Sequence, residues 1–184
     1  MPSPVRHDQH GRPHRDLGSY LAIYGHFTPG TDGGDSSSVR MDLDNEPQPD
    51  VALFIVGGNA WLDEEGYING SPELVGEISA SSVSLDLGLK LNVYKRNGVK
   101  EYLVWRTEEL AFDWFILRDD HYERLNPEAG IIKSETFPGL WIDCAALLAG
   151  AHVRVHEVLQ QGLHGHEHAA FVSHLKKIAA ERKP

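Results

Sequence analysis

The chain has 184 residues, 41% of them hydrophobic and 24% charged, with a formal net charge of −10. This is the make-up of one globular domain with room for a proper core and an appended element. The acidic balance disfavours indiscriminate adhesion to nucleic acid, because that affinity comes mostly from Lys and Arg displacing counterions.

No apolar run is long enough to span a bilayer, and the first residues lack the apolar centre of a signal peptide, so the expected location is the cytoplasm. The single cysteine, Cys144, has no partner for an internal disulfide and reads as a small buried hydrophobe among Ile142, Ala145 and Leu147.

In chain order, residues 1–13 are rich in Pro, His and Arg without periodicity, and fraying is expected there. Leu17, Leu21 and Tyr24 then give a short amphipathic helix from His14, ended by Gly25. Thr28 to Ser38, with Pro29 and glycines at 30, 33 and 34, reads as a loop. Val39, Met41 and Leu43 alternate with Arg40, Asp42 and Asp44, the pattern of a half-buried strand. Pro47-Gln48-Pro49 forces a turn, and the apolar run from Val51 to Ile55 suits a strand covered on both faces, with Asp50 at its start. The acidic stretch 57–72 reads as a long loop in which Tyr67-Ile68 belongs to a hairpin.

The stretch 73–105 organises the rest. Leu74 to Ser79 is a strand, Asp86 to Gly98 a helix with Leu87, Leu91 and Tyr94 as its buried stripe, and Tyr102 to Trp105 a second strand. Short connections of this kind make a right-handed crossover with parallel strands. A serine in the turn 80–82 is placed to cap the helix, and Gly98 to end it. Lys90, Lys95, Arg96, Lys100 and Arg106 cluster around this unit and suggest a local basic surface. Beyond it, 111–117 is strand-like and turns at 118–121 into another strand. Residues 143–148 are helical, and helix continues from Ala151 with a break near 162–165. The tryptophans at 105, 114 and 141 sit in strand patterns and read as core.

Three residues stand out. Glu77 is a carboxylate in the middle of an apolar strand, where burial is costly without a partner. Asp50 follows a proline at a strand start, and Lys90 lies at the helix edge on the face of Asp86. If the two strands are neighbours, the carboxylates converge and suit a hard divalent cation, Mg²⁺ foremost, while the lysine suits a phosphate. Each also has a plainer role: Asp50 closing a turn, Glu77 in a structural ion pair, and Lys90 in an exposed pair with Asp86.

Pro49-Asp50-Val51, Val75-Gly76-Glu77-Ile78-Ser79, Asp86-Leu87-Gly88-Leu89-Lys90-Leu91, Tyr94, Gly98-Val99-Lys100-Glu101-Tyr102 and Phe137-Pro138-Gly139-Leu140 together resemble the Uma-two family of restriction endonucleases, within the PD-(D/E)XK nuclease superfamily. The resemblance runs from the first helix to Leu148. It implies an α/β restriction-endonuclease-like core with a central mixed sheet flanked by helices. It also implies Asp50, Glu77 and the Ile78 carbonyl as metal ligands, Lys90 as the catalytic lysine, Mg²⁺ or Mn²⁺ as cofactor and DNA as substrate. The superfamily lysine two residues after the glutamate is here Ser79, and Gly76 stands where a larger apolar residue is usual.

The resulting expectation is a nuclease domain over 1–150 with a C-terminal helical extension over 151–184, acting as a homodimer without a membrane. Its rival is an inactive nuclease-fold module that binds or dimerises. The histidines offer a second chemistry: His152 with His156, and His164 with His168 around His166 and Glu167, are spaced as helical zinc pairs. A solvated helical tail is the simpler reading.

Overall fold

In the computed structural model, which describes residues 6–42 and 45–181, the apolar runs assemble into one mixed sheet with helices on both faces. A π-helical turn, His7–Gly11, runs directly into α1 (Arg12–Phe27). Then come β1 (Thr31–Asp35), β2 (Val39–Arg40), β3 (Val51–Ile55), β4 (Ala60–Leu62), β5 (Ile68–Gly70) and β6 (Leu74–Ser79). A helical crossover of α2 (Val83–Leu85), a π turn at Asp86–Lys90 and α3 (Leu91–Arg96) leads to β7 (Glu101–Arg106). The chain continues through β8 (Ala111–Arg118), β9 (His121–Arg124), β10 (Ile131–Lys133), β11 (Trp141–Asp143), α4 (Cys144–Leu148), α5 (His152–Leu163) and α6 (His166–Glu181).

The main sheet has the order β1-β3-β6-β7-β8-β9, in which only β6 and β7 are parallel. That parallel pair is what a helical crossover requires, and every residue of β6 is buried. Strand alternation then divides the core. Leu74, Ile78, Leu103 and Trp105 pack with Leu17, Tyr20 and Leu21 of α1 and Val155 and Leu159 of α5. Val75, Tyr102 and Val104 face Tyr94 of α3 on the other side. Gly76 has a packing reason: a Cβ there would lie 2.8 Å from Val51 Cγ2 and 3.5 Å from Leu17, so α1 and β3 close onto the strand only over a glycine.

Several expectations change. Residues 7–13 are helical rather than frayed, because Pro13 is buried at the start of α1 and His10 reaches back to Asp50. The glycine-rich loop contains an edge strand, β1, paired antiparallel to β3. Glycine has no strand preference, which hides it, yet Gly33 is needed there, since a Cβ would lie 2.4 Å from the Ala52 carbonyl oxygen.

The strand expected over 39–44 is only the two-residue β2, followed by a bridge between Asp42 and Asn45; Leu43 and Asp44 lie outside the described residues. The 57–72 stretch does hold a hairpin, β4 to β5, which joins β2 in a small separate sheet. Ser82 does not cap the crossover helix; its hydroxyl donates to Asp86 Oδ2 at 2.5 Å. Cys144 and Trp141 are half-buried rather than core, and Trp141 lies under Lys133 Nζ, 4.6 Å from its ring centre. Asp143 starts α4 by accepting from the Ala146 N–H at 3.0 Å.

Candidate active site

β3 and β6 are antiparallel neighbours with Val51 opposite Gly76, which carries Asp50 to the end of the ladder beside Glu77. There Asp50 Oδ2 accepts from the Ile78 N–H at 2.7 Å, in place of a strand partner. The register would next bring Pro49 opposite Ile78, and proline has no N–H to offer the Ile78 carbonyl. Ladder and sequence together thus leave a carboxylate and a main-chain carbonyl at one strand end.

Glu77 is 3% exposed. Its Oε2 lies 2.8 Å from Lys90 Nζ, and its Oε1 accepts from the Tyr94 hydroxyl at 2.6 Å. Burial pushes the Glu77 carboxyl up to about 7, although Lys90 and Tyr94 favour its charged form; the Asp50 charge adds to the rise. Burial works against the Lys90 charge too, but Glu77 and Asp86 outweigh it and hold the ammonium above its ordinary value.

Asp86 lies one helical turn before Lys90 and touches it at 3.0 Å. The exposed-pair reading fails here, because Asp86 is 1% exposed and its main-chain carbonyl also accepts from Tyr102. Lys90 is therefore held from two sides by buried carboxylates at the floor of a cleft.

That cleft has a volume of about 320 Å³, and Asp50, Glu77, Ile78, Lys90, His10 and Ser82 are among the residues that line it. All four residues picked out in the sequence meet there. Ser79, where the superfamily lysine is expected, is fully buried and makes a 3.3 Å contact with Ser82 Oγ. Carboxylate and main-chain carbonyl oxygens are the donor types that hard divalent ions take.

Three participants escape the sequence reading. His10 Nε2 lies 3.1 Å from Asp50 Oδ1, His14 Nε2 donates to the Asp50 carbonyl at 2.7 Å, and Tyr94 serves Glu77 as well as the core. The spacing of His10 and His14, four apart at the start of the first helix, was the available signal.

The tail histidines form no such group. Among the described residues, the only set of three His, Cys or acidic ligands close enough to share an ion is His10, His14 and Asp50. His152 faces Asp16, and His168 is buried against Thr28 and the Leu163 carbonyl. The expected basic surface is largely neutralised as well, since Lys90, Arg96 and Arg106 each meet an acidic partner.

A mixed sheet whose adjacent strands bring a carboxylate pair to one cleft, with a lysine on the crossover, defines a restriction-endonuclease-like α/β protein. The sequence matches, over residues 1–146, the profile of the Uma2 family, described as "Putative restriction endonuclease". The chain belongs to that Uma-two family. Among solved structures it is similar to "a putative nuclease belonging to DUF820 from Anabaena variabilis ATCC 29413", with a TM-score of 0.62 and 15% identity over 81% of this chain and 85% of that one. At that identity the likeness speaks for the fold. A search of curated proteins finds no match to the chain. Among the described residues, no helix is long and apolar enough to cross a membrane.

Proposed function

We propose that this protein is a metal-dependent endonuclease that hydrolyses phosphodiester bonds of DNA. The observation that carries the reading is the convergence of Asp50, Glu77, the Ile78 carbonyl and Lys90 on one cleft, in a chain of a family described as restriction endonucleases. Asp50, Glu77 and the Ile78 carbonyl would hold a divalent ion, Mg²⁺ or Mn²⁺. When bound, such an ion supplies a more acidic water and neutralises phosphate charge.

The remaining work falls to side chains. Lys90 presents an ammonium at the cleft floor, where it stabilises negative charge growing on the phosphate and orients the attacking water. Asp86 keeps that ammonium charged and aimed, and Tyr94 fixes the Glu77 carboxylate by its hydrogen bond. Asp50 is fixed by the Ile78 N–H on one oxygen and by His10 on the other.

Two active sites suit cutting both strands, so a homodimer acting in the cytoplasm completes the proposal. Incubating plasmid DNA with the protein and Mg²⁺ or Mn²⁺ tests it. Nicking or linearisation should appear with wild type and vanish in Asp50→Ala with its fold intact; full activity in that variant would sink the assignment.

One observation favours the inactive binding module. Lys90 is held by two carboxylates while Ser79 occupies the usual lysine position. Retention of DNA with no cleavage under any divalent metal would decide for the module.

A further inference from the structure

The turn His7–Gly11 places His10 on the wall of the same cleft as Asp50, Glu77 and Ile78. Its Nε2 stands 3.1 Å from Asp50 Oδ1, and its side chain is 30% exposed, compared with 15% for Asp50. The imidazole nitrogen and the carboxylate oxygen thus face each other on the cleft wall. Two ligand atoms at right angles on an ion with bonds of about 2.1 Å stand about 3.0 Å apart. The His10–Asp50 separation is therefore already that of adjacent ligands.

His14 is the neighbouring candidate, and its nitrogen atom also lies within 4.8 Å of the Asp50 and His10 ligand atoms. Its Nε2, however, is committed to the Asp50 carbonyl at 2.7 Å, where only a protonated nitrogen can donate. That bond ties His14 to the main chain, whereas His10 faces the Asp50 carboxylate, itself a proposed ligand. The two rings sit edge to face with centroids 5.7 Å apart.

We infer that His10 is a nitrogen ligand of the cleft metal, making it a mixed imidazole and carboxylate centre that prefers Mn²⁺ and later transition ions over Mg²⁺. The inference rests on the metal-dependent reading above and deepens it. The reason is ligand character: imidazole suits transition ions, whereas Mg²⁺ favours an all-oxygen, largely hydrated shell. His10 would then shift this site away from a plain oxygen set.

The test is pulsed electron paramagnetic resonance of Mn²⁺ titrated into the full chain without nucleic acid. Wild type should show nitrogen coupling to the bound ion, and growth with ¹⁵N-labelled histidine should change that coupling in the unmutated protein. In His10→Ala, checked for fold by circular dichroism, the coupling should disappear and Mn²⁺ affinity should fall about tenfold or more. Mg²⁺ affinity should change much less, and His14→Ala should keep the coupling. Mn²⁺ that is lost in Asp50→Asn but shows no nitrogen coupling in wild type would overturn this inference and leave the carboxylate site standing. Coupling that persists in folded His10→Ala would also overturn it. Absent Mn²⁺ binding, or binding indifferent to Asp50→Asn, would overturn both readings.

Discussion

Glu77 and Glu101 make an instructive pair. They lie on adjacent parallel strands, both are buried, at 3% and 0% exposure, and burial raises the carboxyl of each. Strand parity separates them: Glu101 is opposite Leu74 and shares its face, whereas Glu77 is opposite Val104 and faces the crossover helix. Glu101 is closed. Its two oxygens accept from Trp114 Nε1, Ser134 Oγ and the N–H groups of Glu135 and Thr136, at 2.8–2.9 Å.

Glu77 has a lysine and a tyrosine and borders a cleft. Glu73 and Asp113 resemble Glu101 in this respect, being tied to the N–H groups of Ile55 and Asn59 and to Arg106 and Arg124. A buried carboxylate therefore does not mark a site by itself. What distinguishes Glu77 is that it and its lysine partner both line an open cleft.

The contrast yields separate expectations for each glutamate. The largest is for chemistry: Glu77→Gln should lower cleavage at least about a hundredfold in a plasmid assay, with a melting temperature close to wild type. Glu101→Ala should do the reverse. Four donors lose their acceptor inside the protein, so the fold should lose about 3 kcal/mol or more, read as a melting point lower by roughly 6–12 °C, while metal binding persists.

A pH series sharpens this. Burial holds the Glu101 carboxyl above the ordinary glutamate value of 4.5 despite its donors. In the window just above that value the folded state keeps a proton that the unfolded state releases, so this group's contribution to stability falls as pH rises. Urea midpoints across that window should show a falling contribution in wild type that Glu101→Gln lacks. The smallest effect is expected for Tyr94→Phe. Losing one hydrogen bond to Glu77 should cost about 1 kcal/mol, or about fivefold in rate if it is felt wholly in the transition state.

Much of this was legible in the sequence, for physical reasons. Apolar runs flanked by turn residues locate β3, β6 and β7, and the short connections across 80–100 dictate the parallel pair. Asp50, Glu77 and Lys90 stand out because a charge beside an apolar strand asks for an explanation. What was hidden depends on contacts distant in sequence. β1 is unreadable because its glycines answer to the backbone of β3 and to no local preference. His10 and His14 look like a loose polar terminus until Asp50, about forty residues later, is brought to them. Asp86 reads as a surface residue because its burial comes from the crossover packing over Tyr102. Glu101 sits inside a family-like motif, yet its partners come from Trp114 and the loop at 134–136, beyond the reach of local pattern.

Calorimetric titration of Mn²⁺ and Mg²⁺ into wild type, Glu77→Gln and Glu101→Gln tests the central claim most directly, since it needs no choice of nucleic acid. Heat of binding in wild type and Glu101→Gln, but not in Glu77→Gln, is the expected result. Equal binding by wild type and Glu77→Gln would contradict the account and move any metal away from this cleft.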